Sequence, residues 1–423
     1  MKIAPKPNPT AFRRYSSLAQ DKSLSHRSVI FSFLTSGECE IQDFLRAEDT
    51  NSTLQIAKVL GASVREEGQK LLLAPPSQIA SKAQILCNNA GTAMRLYAGL
   101  LASREGGVYE FVGDESLSKR PMDRIKTPLE RLGAKLSSSY APFTLYPNKL
   151  RGIHFHSPVA SAQVKGAFIL ASLFAQTPSS FSEPELSRDH SERFLSSLGA
   201  EILIQNKMLH IAPLKKPLSP YSFVIPNDPS SVIFFVIACL IGKNLQAEFE
   251  NVLLNPTRIE AFEVLKKMGA NLSYEIRSER IEPVGIVRVA SSSLVGVKVE
   301  KNIAWLIDEI PALSIAFACA RGVSEVRGAK ELKVKESNRI NSIVSNLKAL
   351  GIEACELQDG LRVQGGEFRS AKLKSFGDHR IAMSFALVGM KKEIELEGSE
   401  CIEISFPRFF EFLSEYVEVV NGS

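Results

Sequence analysis

Six apolar segments, each long enough for a buried helix, follow short polar motifs at intervals of about seventy residues. A helix that is apolar on all sides lies inside a core. The free N–H groups at its start need partners and carry partial positive charge. The pattern therefore predicts six buried helices whose polar N-termini open onto a binding surface, over SVIFSFL (28–34), LYAGLLA (96–102), GAFILASLFA (166–175), VIFFVIACLIG (232–242), ALSIAFACA (312–320) and IAMSFALVG (381–389).

A second, amphipathic helix follows in each repeat, and five of these helices are predicted to stop at a glycine. Glycine just past the last turn is the usual left-handed helix stop. After four of the five stops comes a short alternating stretch that is typical of a strand. The repeat is thus strand, buried helix, strand, surface helix and further strands, with the stops at Gly61, Gly133, Gly199, Gly269 and Gly351.

Length and composition agree with a globular protein of two or three domains, since the chain has 423 residues of which 44% are hydrophobic. The longest apolar runs, such as 232–242, are shorter than the roughly 20 residues that cross a bilayer. The first residues lack the apolar core of a secretory signal, so we expect a cytoplasmic protein that does not enter the membrane. A net charge of only +5, without a basic block interleaved with aromatic residues, gives no indication of nucleic-acid binding.

Cysteine and histidine spacing gives no indication of a metal site. The six cysteines stand singly, and we expect them to be buried, reduced thiols. His154 and His156 alternate on one face of a predicted strand, where an ordinary strand surface is favoured over a pair of metal ligands.

Seven arginines lie at or near predicted helix starts, where the helix dipole disfavours cations. For any one of them, a salt bridge with a neighbouring carboxylate is as good an explanation as a ligand. Together they favour helix N-termini and arginine forks that bind a small substrate through phosphate and carboxylate groups. No GxxxxGK[ST] or GxGxxG motif is present, so neither a nucleoside triphosphate nor a dinucleotide is expected. The seven are Arg27, Arg95, Arg120, Arg188, Arg258, Arg339 and Arg380.

Five motifs along the chain resemble the signatures of the 5-enolpyruvylshikimate-3-phosphate synthase family. They occur in the family's order and extend over essentially the whole chain. The motifs are Asp21-Lys-Ser-Leu-Ser-His-Arg27, Asn89-Ala-Gly-Thr-Ala-Met-Arg95, Gly113-Asp-Glu-Ser-Leu-Ser-Lys-Arg-Pro-Met122, Lys333-Val-Lys-Glu-Ser-Asn-Arg339 and Gly377-Asp-His-Arg380.

The resemblance implies an α/β fold with two domains, each an inside-out α/β barrel of three βαβαββ repeats, and an active site in the interdomain cleft. One domain would comprise residues 20–226, and the other residues 1–19 plus 227–423. It also implies transfer of the enolpyruvyl group of phosphoenolpyruvate to the 5-hydroxyl of shikimate 3-phosphate, with release of phosphate. This reaction needs no metal and no organic cofactor, and we expect a monomer whose domains close on the substrates.

The resemblance assigns acid–base roles to Asp308, which would take the hydroxyl proton, and to Glu336 with Lys22, which would handle the C3 proton and the leaving phosphate. From spacing alone, Asp308 is slightly better explained as a helix N-cap before Pro311. Glu336 is equally an exposed carboxylate in the first turn of a helix.

Substrate binding is assigned by the same resemblance. The residues implied for phosphoenolpyruvate are Lys22, Gly91, Arg120, Gln163, Arg339 and Arg380. A side chain at Gly91 would crowd this pocket. The residues implied for shikimate 3-phosphate are Ser23, Arg27, Ser161, Gln163, Arg188, Asp308 and Lys335.

Three positions depart from the family's common pattern. Gln20 replaces a glycine, Asn338 replaces an aspartate, and Ile404 stands where some members have a lysine that binds phosphoenolpyruvate. Motifs around Ser161, Arg188 and Arg258 resemble the glyphosate-tolerant class, whereas Gly91 is the residue of the sensitive type. We therefore hypothesise weak inhibition by glyphosate.

Two alternatives remain open at this point. The sister enolpyruvyl transferase that acts on UDP-N-acetylglucosamine shares the fold, but it carries a loop cysteine shortly before its Arg-Pro pair, and residues 113–121 contain none. A catalytically inert polyanion- or RNA-binding relative would use the same basic cleft, yet it would not need Asp308, Glu336 and Lys22 together.

Overall fold

The computed structural model describes residues 1–7 and 9–420 and divides the chain into two compact units. The first unit consists of Gln20–Ile225 together with Arg280–Glu282. The second consists of Met1–Ala19, Pro226–Glu279 and the residues from Pro283 onward.

Two strands at the start of the chain, β1 (Lys2–Pro5) and β2 (Phe12–Tyr15), belong to the second unit. The chain then builds the first unit in three consecutive repeats and returns with a final strand. These elements are α1 (Lys22–Phe31), β3 (Cys39–Gln42), α2 (Glu48–Val59), β4 (Ser63–Glu67), β5 (Lys70–Ala74), β6 (Lys82–Asn88), α3 (Gly91–Leu101), β7 (Val108–Gly113), α4 (Glu115–Ser118), α5 (Asp123–Leu132), β8 (Lys135–Leu136), β9 (Phe143–Tyr146), β10 (His154–His156), α6 (Ala162–Ser172), β11 (Ser179–Ser182), α7 (His190–Ser197), β12 (Ile202–Gln205), β13 (Met208–Ile211) and β14 (Ser222–Val224).

The second unit repeats the scheme, with short 3₁₀ turns such as Lys330–Val334 and Ser399–Ile404 between its elements. Its elements are α8 (Pro229–Ile241), β15 (Gln246–Leu253), α9 (Glu260–Lys267), β16 (Asn271–Ser278), β17 (Val284–Ala290), β18 (Lys298–Val299), α10 (Ile303–Leu306), α11 (Ile310–Cys319), β19 (Val323–Val326), α12 (Arg339–Ala349), β20 (Ala354–Leu357), β21 (Gly360–Gln364), β22 (Ala371–Lys374), α13 (His379–Ala386), β23 (Ile394–Glu397), α14 (Phe409–Leu413) and β24 (Val417–Val420).

Within the described residues, the strands form six separate four-stranded sheets, three in each unit. Every sheet has one parallel pair followed by two antiparallel neighbours, as in the order β6-β7-β9-β8. Parallel neighbours require a crossover connection, and in that repeat the crossover is the buried helix α3. The described strands form no closed β-barrel. The repeated βαβαββ unit is therefore confirmed.

Three strands, β14, β2 and β1, complete sheets whose other strands lie far away in the sequence. Strand β14 pairs in parallel with β3 and completes the first sheet of the first unit. Strand β2 pairs in parallel with β15, and β1 lies between β23 and β24. The first nineteen residues thus supply strands to two sheets of the second unit, which explains why they belong to it rather than to the unit that follows them in sequence.

The six predicted apolar helices are confirmed as buried elements. All thirteen residues of α8 are buried, and α3 approaches α6 so closely that a Cβ at Gly99 would lie 2.3 Å from the carbonyl oxygen of Ala167. The helices begin inside the polar motifs, α1 at Lys22 and α13 at His379, so motif residues occupy first turns. In the part of the chain that the structure describes, no helix combines the length and apolar content needed to cross a membrane.

The five glycine stops are confirmed by their backbone angles. The five surface helices α2, α5, α7, α9 and α12 end at or just before these glycines. Each glycine has positive φ, which a residue without a Cβ adopts at no steric cost; the values are 98° at Gly61, 129° at Gly133, 99° at Gly199, 89° at Gly269 and 82° at Gly351.

The expectation of buried cysteines holds for only part of the set. Cys39, Cys87 and Cys239 are buried as predicted. Cys355 is exposed, so the prediction was wrong for this residue. Cys355 lies in the edge strand β20 with its side chain on the outer face. Cys319 and Cys401 are half-buried, so they too depart from the prediction.

His154 and His156 lie on the exposed face of β10, as the strand-surface interpretation predicts. Each contacts the serine opposite it on β11, Ser180 and Ser182 respectively. No group of three histidine, cysteine or acidic side chains in residues 1–7 and 9–420 is arranged to hold a metal ion.

Candidate active site

Most of the site residues predicted in the first unit lie at or near the N-terminal ends of its helices. Lys22, Ser23 and Arg27 are on the first turns of α1, Gly91 is the first residue of α3, and Ser161 caps α6, which also carries Gln163. Arg120 follows α4, and Arg188 precedes α7.

Lys22 forms an ion pair with Asp49 of α2. The lysine side chain is 25% exposed and the aspartate side chain 8%, so the lysine keeps more contact with solvent than its partner does. Nothing in the local pattern singled out Asp49, because an acidic residue in the first turn of a helix is ordinarily a response to the helix dipole.

Gly91 is hydrogen-bonded into a chain of polar groups on α3 and α6. The Arg95 guanidinium donates to the carbonyl oxygen of Gly91 at 3.1 Å and to Gln163 Oε1 at 2.9 Å. The Gln163 amide donates in turn to Thr92 Oγ1 at 2.9 Å. A Cβ at position 91 would lie 2.6 Å from Arg95 Nη1, so a larger residue would displace this arginine.

Arg120 is held by polar groups of its own unit. Its Nη2 donates to Asn89 Oδ1 at 3.1 Å and to Ser116 Oγ at 3.2 Å. Asn89 also donates to Asp114 at 2.7 Å. The arginine therefore lies beside the turn that precedes Gly91.

Arg27 is buried, with 2% of its surface exposed. It donates from Nε to Ser191 Oγ at 2.9 Å and from Nη1 to the carbonyl oxygen of Ser23 at 3.1 Å. Ser191 belongs to α7, so this contact joins α1, which carries Ser23, to α7, which begins two residues after Arg188.

A buried charge cluster supports the start of α6. Lys165 is 2% exposed and lies 3.0 Å from Glu183 and 2.6 Å from Glu192. Burial by itself would lower the pKa of Lys165, but the two carboxylates outweigh it and raise the pKa. Glu183 also accepts from the backbone N–H of Ser161 at 3.3 Å, which fixes the residue that caps α6.

In the second unit, Arg339 binds three carboxylates at once. Its Nε donates to Asp378 at 2.8 Å, its Nη2 to Glu336 at 2.7 Å and its Nη1 to Asp308 at 3.2 Å. The guanidinium is nearly inaccessible, whereas Asp308 and Glu336 keep 28% and 25% of their side chains exposed. Both predicted acid–base residues are therefore brought together at one arginine.

The charge on Arg339 is permanent. Burial lowers the pKa of its guanidinium, but Asp378, Glu336 and Asp308 more than offset burial and raise the pKa above its ordinary value. A buried charge requires such partners. The arginine is thus a fixed cation around which the two partly exposed carboxylates are oriented.

The two simpler explanations of these carboxylates are wrong. The N-cap of α11 is Glu309, not Asp308. Glu336 precedes α12, whose N-cap is Asn338 and whose first residue is Arg339, so Glu336 is not in the first turn. In both cases the carboxylate binds Arg339 instead.

Arg380 connects the residues around Arg339 to the start of α8. Its Nη1 donates to the carbonyl oxygen of Ser230 at 2.9 Å, and its backbone N–H donates to the capping carboxylate of Asp378 at 2.9 Å. The Ser230 hydroxyl contacts Glu309 and accepts from Arg258 at 2.9 Å. These contacts connect the N-terminal ends of α8, α11 and α13.

Two positions noted in the sequence, Lys335 and Ile404, lie outside the ion-pair network around Arg339. Lys335 is half-buried beside Glu336 in sequence, and none of the ion pairs between described residues includes it. Ile404 ends the 3₁₀ helix Ser399–Ile404 and is also half-buried, so an apolar side chain occupies that position.

Asp378 is the main site residue that sequence reasoning missed. It caps α13, binds Arg339 and accepts from Ser337 Oγ at 3.2 Å. Its place in Gly377-Asp-His-Arg380 was visible, but a capping aspartate before an apolar helix is common. Only the fold shows that Arg339, 39 positions away, is its partner.

Known proteins are similar to this chain over nearly its whole length. A family model for EPSP synthase (3-phosphoshikimate 1-carboxyvinyltransferase) matches residues 17–413. A 3-phosphoshikimate 1-carboxyvinyltransferase of a Nitratiruptor species is 49% identical over 417 residues, covering 96% of each chain.

Solved structures share the fold over nearly the full length. EPSP synthase from Acinetobacter baumannii superposes with a TM-score of 0.88 at 33% identity, covering 99% of both chains. The enolpyruvyl transferase NikO from Streptomyces tendae has a TM-score of 0.78 at 16% identity, covering 100% of this chain and 99% of its own, and shows likeness of fold alone. The chain therefore belongs to the EPSP synthase (3-phosphoshikimate 1-carboxyvinyltransferase) family.

Proposed function

We propose that this protein transfers the enolpyruvyl group of phosphoenolpyruvate to the 5-hydroxyl of shikimate 3-phosphate, releasing phosphate. Membership of the family supports the reaction class. The observation that carries the proposal is that Arg339 binds both Asp308 and Glu336, because the reaction needs two partly exposed acid–base groups beside a fixed cation.

The addition step requires one proton to leave the hydroxyl and another to arrive at C3. The hydroxyl attacks C2 of phosphoenolpyruvate and loses its proton, which we assign to Asp308. C3 gains a proton, which we assign to Glu336 with Lys22. The resulting tetrahedral ketal then expels phosphate as C3 loses a proton, so that the carbon–carbon double bond of the enolpyruvyl group re-forms. Positioned side chains of this kind typically accelerate a reaction by about 10² to 10⁴-fold.

Arg339 has a further role in this proposal. A substrate anion that binds its guanidinium competes with Asp308 and Glu336 for the same N–H groups. Binding of phosphoenolpyruvate would thus release carboxylate oxygens for proton transfer. The buried Asp378 would keep Arg339 in place meanwhile, since its hydrogen bond to Nε lies away from the exposed side.

The remaining residues supply anion and hydroxyl contacts. For phosphoenolpyruvate we propose Lys22, Gly91, Arg120, Gln163, Arg339 and Arg380, and for shikimate 3-phosphate Ser23, Arg27, Ser161, Gln163, Arg188, Asp308 and Lys335. Charge-assisted hydrogen bonds from arginine forks suit phosphate and carboxylate oxygens. The proposal assigns no step to a metal or an organic cofactor.

Four finer features stay predictions. We propose functional domains of residues 20–226 and of residues 1–19 plus 227–423, a monomeric state, a cytoplasmic location, and closure of the domains when the substrates bind. Small-angle scattering with and without both substrates measures closure and the molecular mass together.

The first experiment measures phosphate release from phosphoenolpyruvate with shikimate 3-phosphate, and with UDP-N-acetylglucosamine in a parallel reaction. Release with the shikimate substrate alone is the expected result. Release with the sugar nucleotide alone would assign the protein to the sister activity. No phosphate release in either reaction would favour the alternative of an inert polyanion-binding protein.

Two variants then test the acid–base pair. Asp308→Ala and Glu336→Gln should each lower kcat by about 10² to 10⁴-fold. The matched control is Glu411→Gln, because Glu411 also pairs with an arginine three residues away, Arg408, but on an exposed surface. Equal losses in Glu336→Gln and Glu411→Gln would contradict the assignment.

A further inference from the structure

Strands β10 and β11 of the first unit end side by side, and each continues into a segment that carries a proposed substrate-binding residue. The two strands are parallel, with His156 opposite Ser182 at their ends. The segment after β10 leads to Ser161 at the start of α6, and the segment after β11 leads to Arg188, just before α7. Both segments therefore begin at the same edge of one sheet.

Glu183, the first residue after β11, binds both segments through one carboxylate. Its Oε2 accepts from the backbone N–H of Ser161 at 3.3 Å. Its Oε1 accepts from the backbone N–H and the hydroxyl of Ser187 at 2.7 and 2.9 Å. Ser187 lies directly before Arg188 in the sequence. A single side chain that is only 5% exposed thus connects Ser161 to the residue that precedes Arg188.

Ser187 is fixed by every polar group that it has. Its N–H and its hydroxyl donate to Glu183, and its carbonyl oxygen accepts from Lys165 Nζ at 3.1 Å. The residue is 3% exposed, so water has little access to these groups. The backbone of Arg188 consequently starts from a residue whose position depends on Glu183 and Lys165.

An ion pair that serves stability alone would not require Glu183. Lys165 already has a buried carboxylate partner in Glu192, at 2.6 Å, and Glu183 brings a second negative charge into the same cluster. Moving a charge out of water is costly, and a buried ion pair often adds little net stability. What distinguishes the two carboxylates is that Glu183 accepts from Ser161 and Ser187, whereas no hydrogen bond in residues 1–7 and 9–420 joins Glu192 to either serine.

Gln163, which is proposed to contact both substrates, is supported separately. Its side chain bonds to Arg95 and to Thr92, each at 2.9 Å, and both of these residues belong to α3. A change at Glu183 should therefore displace Ser161 and Arg188 more than it displaces Gln163.

We propose that Glu183 is a positioning residue for shikimate 3-phosphate, and that Lys165 holds its carboxylate in place. Glu183 acts through Ser161 and Arg188, since its own oxygen atoms bind protein groups. The inference rests on the proposed function, in which Ser161 and Arg188 bind shikimate 3-phosphate and not phosphoenolpyruvate. A buried carboxylate would thus affect the binding of one substrate of the two.

The test is Glu183→Gln in the full-length protein. The amide of glutamine has one acceptor oxygen where the carboxylate has two, so one of the two segments loses its acceptor. A hydrogen bond to a charged group is lost, and the Kd and KM for shikimate 3-phosphate should rise by roughly tenfold or more. The KM for phosphoenolpyruvate and kcat should change much less. Calorimetric titration with shikimate 3-phosphate measures the Kd, and phosphate release measures the kinetic constants.

The matched control is Glu192→Gln, because Glu192 is equally buried and pairs with the same lysine. Both variants should lower the free energy of unfolding, but Glu192→Gln should raise the Kd for shikimate 3-phosphate much less. Ser187→Ala is a milder change that guards against misfolding of Glu183→Gln. It removes one hydroxyl contact to Glu183 and should raise the same Kd by a smaller factor.

Equal increases in this Kd for Glu183→Gln and Glu192→Gln would overturn the inference, because the cluster would then have a structural role only. Equal increases in the KM of both substrates with Glu183→Gln would overturn it as well. Failure of the proposed function has a different signature, since the wild-type protein itself would neither bind shikimate 3-phosphate nor release phosphate. That result would remove the basis of the inference too.

Discussion

Replacement of Asp378 tests whether the buried pair with Arg339 stabilises the second unit. Asp378 is fully buried and Arg339 is 2% exposed at its side chain. Removing one partner of a buried ion pair costs about 3 to 5 kcal/mol. Because Glu336 and Asp308 still bind the guanidinium, we expect the lower end, about 3 kcal/mol. Loss of the α13 N-cap adds about 1 kcal/mol.

Asp378→Ala should therefore lower the free energy of unfolding by about 4 kcal/mol. Asp378→Asn should cost less, about 2 kcal/mol, because asparagine caps helices as well as aspartate does but turns an amide N–H₂ group toward donors. The donors concerned are Arg339 Nε and Ser337 Oγ, which both contact Oδ2, whereas the capping N–H of Arg380 contacts Oδ1. The difference in destabilisation between the two variants distinguishes loss of the carboxylate charge from loss of the N-cap.

Urea denaturation followed by circular dichroism measures these differences. The control is Asp114→Ala, since Asp114 caps α4 through the same contact to a backbone N–H but is exposed and has no buried arginine beside it. We expect a loss of about 1 kcal/mol there. If Asp378→Ala were no more destabilising than Asp114→Ala, the reasoning about the Arg339 pair would be refuted.

Three further outcomes are expected. Gly91→Ala should raise the KM for phosphoenolpyruvate by roughly tenfold with a smaller change in kcat, because the added Cβ lies 2.6 Å from Arg95 Nη1 and weakens its hydrogen bonds; an unchanged KM would contradict this. Burial lowers the pKa of His26 from 6.5 to about 3. Between these two pH values the unfolded chain binds a proton that the folded protein does not bind. The free energy of unfolding should therefore fall as the pH falls from 6.5 to about 3, by at most about 1.4 kcal/mol per pH unit. His26→Gln should flatten that slope in pH-dependent denaturation, whereas replacing the exposed His210 should not. Glyphosate should inhibit only weakly in a steady-state assay, and submicromolar inhibition competitive with phosphoenolpyruvate would exclude this hypothesis.

Acid–base residues show the limit of reasoning from local pattern. Spacing alone favoured an N-cap for Asp308 and a first-turn carboxylate for Glu336, and both explanations failed. A one-residue change in where a helix begins decides which residue occupies the N-cap position. Helix starts are uncertain by one or two residues when only the pattern is known, so the cap could not be assigned before the structure.

Ion-pair partners could not be predicted for the same kind of reason. Lys22 and Asp49 are 27 positions apart, and Arg339 and Asp378 are 39 apart. Charged residues occur throughout the chain, with 51 basic and 46 acidic side chains. Choosing the right pair among so many requires knowing which helices pack together, and that packing depends on contacts between distant repeats.

Hydrophobic periodicity by itself determined the repeat, the six buried helices and the five glycine stops. These features follow from short-range physics, because an apolar segment must be buried wherever it lies and a residue with positive φ favours glycine in any context. The motifs in turn sufficed to identify the family. Tertiary structure alone decided that Arg339 holds Asp308, Glu336 and Asp378 together, that Cys355 faces outward, and that Glu183 connects Ser161 to Ser187. Each of these depends on which side of an element meets a neighbour far away in sequence, and a local pattern carries no information about that neighbour.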